Sequence, residues 1–251
     1  MVERTIEELT LNAWPALSSV VYDGWVLRFA DGYTRRANSV NPLYVSSLPL
    51  DEKIAHCEAT YAARNQATVF KLTDASPPAG LDTVLAGAGY QAEATTSVQV
   101  ADLACQTLGW DPAVSLAPSV SDEWLDTMFY LVVVPERYRQ SERRMLQSVV
   151  PAQAFATLRE DGQAVALGLA VAERGYVGLY SIVTAVHARN RGLARRLVGH
   201  LLTWGRERGA HTGYLAVMVD NAPALRVYER FGFREAYRYW YRAKGLFQAR
   251  A

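Results

Sequence analysis

The sequence predicts an α/β chain that runs one structural unit twice in tandem. Two observations carry this. Strand-like and helix-like stretches follow the order hairpin, helix, strand, short helix, Gly-aromatic pair, strand, and that order occurs twice. Gly89-Tyr90 ends the first pass as Gly232-Phe233 ends the second. The boundary between copies falls in the Pro- and Ser-containing stretch 109–122, giving a first unit over 1–112 and a second over 113–251.

Gly24 to Ala30 is aromatic and β-branched, hence a strand, and Asp31-Gly32 is a turn signal. The returning stretch Tyr33–Asn41 is unusually polar. It is read either as a hairpin strand with one solvated face or as part of a ligand cleft. In the second case Arg28, Arg35, Arg36, Asn38 and Asn41 face the ligand, with an arginine placed for a carboxylate. Leu50, Ile54, Cys57 and Tyr61 recur at helical spacing, so a helix is expected over about 51–64. A strand (68–73), a short helix to about 88 and an alternating strand (92–100) complete the first unit.

The second unit opens with a strand near 113–117 and helical material over 122–150, interrupted near Pro135. Asp161-Gly162 joins two hairpin strands, and 175–185 forms a third. The helix over 192–208 carries Leu193, Leu197, Val198, Leu201, Leu202 and Trp204 on one face, with Gly209 ending it. A strand (214–219), a helix (222–230) and a last strand through Trp240 follow.

Net charge is +1, so no global field points to nucleic acid or a membrane surface. The longest apolar runs are too short to span a bilayer, and no secretory signal is visible at the start. Cys57 and Cys105 lack metal-ligand spacing and read as buried free thiols, so no metal and a cytoplasmic setting are expected.

Chemistry concentrates in Ser181–Leu197, where a strand enters a helix through a basic turn containing Gly192. Freed backbone N–H groups and the positive end of the helix dipole suit a pyrophosphate, and Gly192 permits close approach. The first unit enters its helix through Ser46-Ser47-Leu48-Pro49-Leu50, with neither Gly nor a basic residue. One copy has an anion cradle and the other lacks it.

With Arg189-Asn190-Arg191-Gly192-Leu193-Ala194, Asn221, and Tyr228 seven residues further on, the second unit resembles the GCN5-related N-acetyltransferases. One departure is Val186, where relatives often have Pro. The resemblance implies two tandem units of mixed, mostly antiparallel twisted sheet with helices on both faces, the first degenerate. It implies acetyl-CoA as acetyl donor. Pantetheine would pair with Ile182, Val183 and Thr184, and the pyrophosphate would meet Arg189, Asn190, Arg191, Gly192, Leu193, Ala194 and Arg195. Asn221 would contact the cofactor arm and also suits a helix cap. Tyr228 would protonate the departing thiolate. The degenerate copy has Leu85 in the place of Tyr228.

The acceptor is expected to be a small primary amine, with Arg28, Arg35, Arg36, Asn38, Tyr138 and Tyr180 as candidate contacts and no metal, nucleic acid or membrane partner. A monomer or homodimer is expected. No general base stands out: Tyr180, Ser181 and Thr184 offer no carboxylate. A non-catalytic acyl-CoA-binding sensor is the alternative. A dinucleotide-binding redox protein fits worse, because no Gly-x-Gly-x-x-Gly follows a first strand.

Overall fold

The computed structural model describes residues 2–104 and 106–244; Cys105 lies outside them. One eleven-stranded sheet runs through the molecule. The first half contributes α1 (Val2–Ala13), β1 (Ser18–Tyr22), β2 (Trp25–Phe29), β3 (Val40–Pro42), α2 (Leu50–Ala62), β4 (Thr68–Thr73), α3 (Leu81–Gly87) and β5 (Gln91–Asp102). The second contributes β6 (Val114–Ala117), α4 (Asp122–Leu131), α5 (Glu136–Gln147), β7 (Ala152–Glu160), β8 (Gln163–Glu173), β9 (Tyr176–Thr184), α6 (Leu193–Glu207), β10 (Thr212–Met218), α7 (Ala222–Glu229) and β11 (Arg234–Lys244).

Strand order is β1-β2-β3-β4-β11-β5-β10-β9-β8-β7-β6. The last strand of each half is therefore seated among strands of the other half. β11 lies between β4 and β5, and β5 lies between β11 and β10. Only β3–β4 and β9–β10 pair in parallel. Both are the strand pairs whose connection carries the long helix of its half, as parallel pairing of neighbouring strands requires.

One face of the sheet is covered by α1, α4 and α5 in a single apolar cluster that includes Ile6, Trp14, Trp124, Met145, Tyr180 and Tyr214. The other face carries two clusters, one beneath α2 and α3 and one beneath α6 and α7. Close helix–sheet packing depends on glycine at Gly205, where a Cβ would stand 2.6 Å from Val177 Cβ.

Two elements depart from the sequence expectations. The N-terminal helix α1 was not expected; its buried stripe of Ile6, Leu9 and Ala13 recurs at helical spacing. The stretch after Asp31-Gly32 is not a hairpin strand. It makes a short 3-10 turn (Arg35–Ala37) before the three-residue β3. Asn38 holds that turn closed: its Oδ1 accepts from the N–H groups of Ala30 and Gly32, and its Nδ2 donates to Tyr33 O and Thr34 O. Four local bonds from one side chain outweigh continued strand pairing.

The two long-helix entrances differ as the sequence expects, for a reason it did not show. At the start of α2 the N–H groups of Ser47 and Leu48 point at the carboxylate of Asp23, at 3.0 and 2.9 Å. Ser47 Oγ and Lys53 Nζ also reach it. The first half has filled its own anion nest with a side chain. Gly24 makes this possible, because a Cβ there would stand 2.5 Å from Tyr44 O.

Gly205→Val should overpack the α6–β9 contact and lower stability by about 1–3 kcal/mol in urea denaturation. Hydrogen bonds from Leu48 and then Ser47 and Lys53 hold the Asp23 carboxyl well below its usual range. A depressed carboxylate stabilises above its unfolded pKa of about 3.9 and loses that contribution as pH falls toward the folded value. Asp23→Asn should therefore melt earlier than wild type at neutral pH, and the gap should narrow below about pH 4.

Candidate active site

β9 and β10 pair only over Tyr176–Leu179 and Thr212–Leu215. Beyond those residues the strands diverge, and Tyr180–Thr184 and Ala216–Met218 flank a slot. At its start, Ser181 adopts φ +50° and the β8–β9 register shifts between Leu167 and Leu169. Such a bulge re-aims the strand and leaves backbone groups free of the ladder.

A groove of about 890 Å³ opens from the slot along the start of α6 and the exposed side of α7. Ile182, Val183, Thr184, Arg189, Asn190, Gly192, Leu193, Ala194, Arg195, Asn221 and Tyr228 all line it. Gly192 stands at φ +78° before the first turn of α6, and a Cβ there would meet no atom within 4 Å. The space in front of the helix amides is thus open, in contrast to the Asp23-filled nest at α2. These residues suit a pyrophosphate.

Arg191 is turned away from the groove and pairs with Glu160 at 2.9 Å. Arg196 is held by Asp111 and Glu160. Four arginines around the groove, Arg189, Arg195, Arg226 and Arg230, have no ion-pair partner among the described contacts. Arg226 and Arg230 were not among the sequence expectations. Their i,i+4 spacing on the helix that carries Tyr228 was the available signal.

Asn221 caps α7, its Oδ1 accepting from Ala224 N at 3.2 Å, while lining the groove. Tyr228 is 8% exposed and meets Phe233 edge-on at 5.9 Å. Burial pushes its phenol up to about 12, so it stays protonated at physiological pH.

The acceptor-side candidates lie on the opposite face, and the structure separates them. Arg28 is buried, and its guanidinium donates to the main-chain carbonyls of Arg36 (2.6 Å), Leu11 (3.4 Å) and Trp14. It closes the C-terminal end of α1, whose last carbonyls lack helical partners. Asn38 is spent on its turn, as described above, and Asn41 Nδ2 donates to Ser39 O. Arg35 forms a bidentate pair with Glu93 at 2.7 and 2.8 Å. Tyr138 on α5 packs against Tyr33, ring centres 5.6 Å apart. Tyr180 shares a 2.8 Å hydrogen bond with Tyr214 and stacks on Trp14. Arg36 faces Tyr180, Tyr239 and Tyr241.

A protein-family model described as "Probable histone acetyltransferase Rv0428c C-terminal" matches residues 3–242. The uncharacterized N-acetyltransferase YobR of Bacillus subtilis is 28% identical over 96% of this chain and 98% of its own. The probable histone acetyltransferase Rv0428c of Mycobacterium tuberculosis is 30% identical over 92% of this chain and 70% of its own. A GCN5-related N-acetyltransferase from Kribbella flavida shares the fold, with TM-score 0.73 and 16% identity over 97% of this chain and 95% of its own. A tandem protein of the same fold from the clavulanic acid biosynthesis pathway superposes with TM-score 0.65 at 14% identity, over 95% and 87% of the two chains. No helix among the described residues is long and apolar enough to cross a membrane. The slot between diverging parallel strands, the open cradle at Gly192 and these likenesses agree: the chain belongs to the Rv0428c C-terminal family and is a GCN5-related, acetyl-CoA-dependent N-acetyltransferase.

Proposed function

We propose that this enzyme transfers the acetyl group of acetyl-CoA to the primary amine of a small molecule by direct attack, using the second half's groove for the cofactor. The observation that carries this reading is the contrast between the two helix entrances: one is filled by Asp23, the other is open and ringed by unpaired arginines.

Bound acetyl-CoA supplies a thioester whose carbon takes the amine nitrogen as the C–N bond forms and the C–S bond breaks. The chain's residues do the rest. Strand groups at Ile182–Thr184 pair with the amide-rich arm, and the α6 amides with Arg189 and Arg195 hold the phosphates. Arg226 and Arg230 extend that positive wall. Tyr228 gives its proton to the departing sulfur, whose thiol pKa is about 8.5 by analogy with cysteine. A phenol near 12 remains the proton carrier at every working pH. Among the described residues lining the groove there is no carboxylate or imidazole, so the proton lost by the amine leaves on the acceptor side.

Tyr228→Phe should lower kcat for thiol release about 10- to 100-fold while acetyl-CoA affinity by calorimetry changes less than about twofold. An unchanged kcat would remove Tyr228 from the reaction. Wild-type kcat should show no loss from Tyr228 ionisation until pH nears about 12.

Arg195→Ala with Arg230→Ala should weaken acetyl-CoA binding about three- to tenfold, leaving kcat at saturating acetyl-CoA close to wild type. The deficit should shrink in high salt, since both arginines are exposed.

A further inference from the structure

Arg28 on β2 and Arg35 and Arg36 on the turn that follows it carry three guanidinium groups, and their partners differ. Arg28 is consumed by main-chain carbonyls and Arg35 by Glu93. Arg36 has no carboxylate in hydrogen-bond or ion-pair contact among the described residues, and its Nε is shielded from solvent with no hydrogen-bond partner. Its guanidinium lies 5.7 Å from the Trp14 ring centre, is in hydrogen-bond contact with the Tyr239 hydroxyl, and has Tyr180 and Tyr241 near it. Lys71 sits nearby, over the Tyr239 ring, but Glu7 neutralises it at 2.5 Å. The half-buried Arg36 charge is therefore met by neutral phenols and an indole rather than by a carboxylate, an arrangement that an arriving anion relieves.

The position of Arg36 gives that anion a meaning. Tyr180 is the last residue of β9 before the bulge at which β9 parts from β10, and Tyr239 stands on β11, two strands beyond β10. The guanidinium thus lies on the face of the sheet that carries α1, α4 and α5, opposite the face that carries α6, α7 and the groove. Small or apolar residues, Ala216, Val183 and Ala94, pack on this same face. The turn is fixed rather than loose. Asn38 closes it, Arg28 holds the Arg36 carbonyl at 2.6 Å, and Asp31 accepts from Ser141 Oγ on α5 at 2.7 Å. Asp31 and Thr34 adopt φ +53° and +58°, conformations that persist only where surrounding bonds enforce them.

We infer that Arg36 is a specificity residue for the acceptor, binding a carboxylate on the small molecule whose amine is acetylated. This rests on the transfer reading above and narrows it to amines that carry a carboxylate, such as free amino acids. The planar fork of a guanidinium matches a carboxylate through two parallel hydrogen bonds, and the surrounding phenols supply further donors. The residue acts on binding of the acceptor; the bonds made and broken remain those of acetyl transfer.

The test uses the full chain with a panel of α-amino acids, each beside its carboxamide and its decarboxylated amine. Thiol release gives kcat and KM. In parallel, calorimetry with CoA present measures binding of the N-acetylated acids and N-acetylated amides, which requires no turnover. Wild type is expected to favour acid over amide about tenfold or more in both assays. Arg36→Gln is expected to bring that ratio close to one through KM, with the acetyl-CoA KM unchanged, and Arg36→Lys to restore part of it. Turnover without an acid preference, or a preference that survives Arg36→Gln, overturns the inference. Acid-selective binding that Arg36→Gln abolishes, with no thiol release from any amine, supports the anion site and instead overturns transfer to small amines. A merely structural Arg36 would lower the melting temperature while leaving the acid-to-amide ratio as in wild type, and that result also overturns the inference.

Discussion

Everything in this molecule depends on the main-chain ladder of β5. That strand belongs to the first half by sequence, yet it bonds to β10 of the second half on one side and to β11 on the other. β11 in turn bonds to β4 of the first half. Neither half could leave without exposing unpaired N–H and C=O groups along two strands, and buried backbone groups do not stay unpaired. The exchange fixes the two halves in one orientation. It also sets Tyr239, from the end of the chain, on the same face as α1 from its beginning, where a buried Lys71–Glu7 pair and the Tyr237 hydroxyl meet.

The first half spends its polar groups on holding its own structure. Its long-helix entrance keeps backbone N–H groups in the position of an anion nest, but Asp23 occupies them and Lys53 balances the charge. The stretch after β2 is a braced turn that reaches across to α5. The second half, meanwhile, keeps an open nest and a set of uncompensated arginines. Other arginines are paired with carboxylates: Arg35 with Glu93, Arg196 with Asp111, Arg242 with Asp82.

The two faces of the slot divide the labour. The face beneath α6 and α7 is lined by backbone amides and arginines. The opposite face carries buried aromatic rings, with Tyr180 edge-on to Tyr214 and Tyr239 edge-on to Tyr241. A shared tyrosine hydroxyl pair, Tyr180 with Tyr214 at 2.8 Å, ties β9 to β10 where their main-chain pairing ends.

Much of this was legible in the chain because its signals are local. Period-two and period-3.6 patterning placed nine of the strands and six of the helices within a few residues. Gly192 in its basic turn and Asn221 seven residues before Tyr228 marked the groove, since dihedral freedom, capping and helical spacing are properties of short segments. The strand exchange was not legible, because β5 and β11 present the same alternation whichever neighbours they take. The fates of Arg28, Arg35 and Arg36 were equally hidden: three arginines within nine residues look alike until the fold gives one to carbonyls and one to Glu93, and leaves one facing tyrosines. Local chemistry determined which half holds the cradle; long-range pairing alone decided which charges remain free to bind anything.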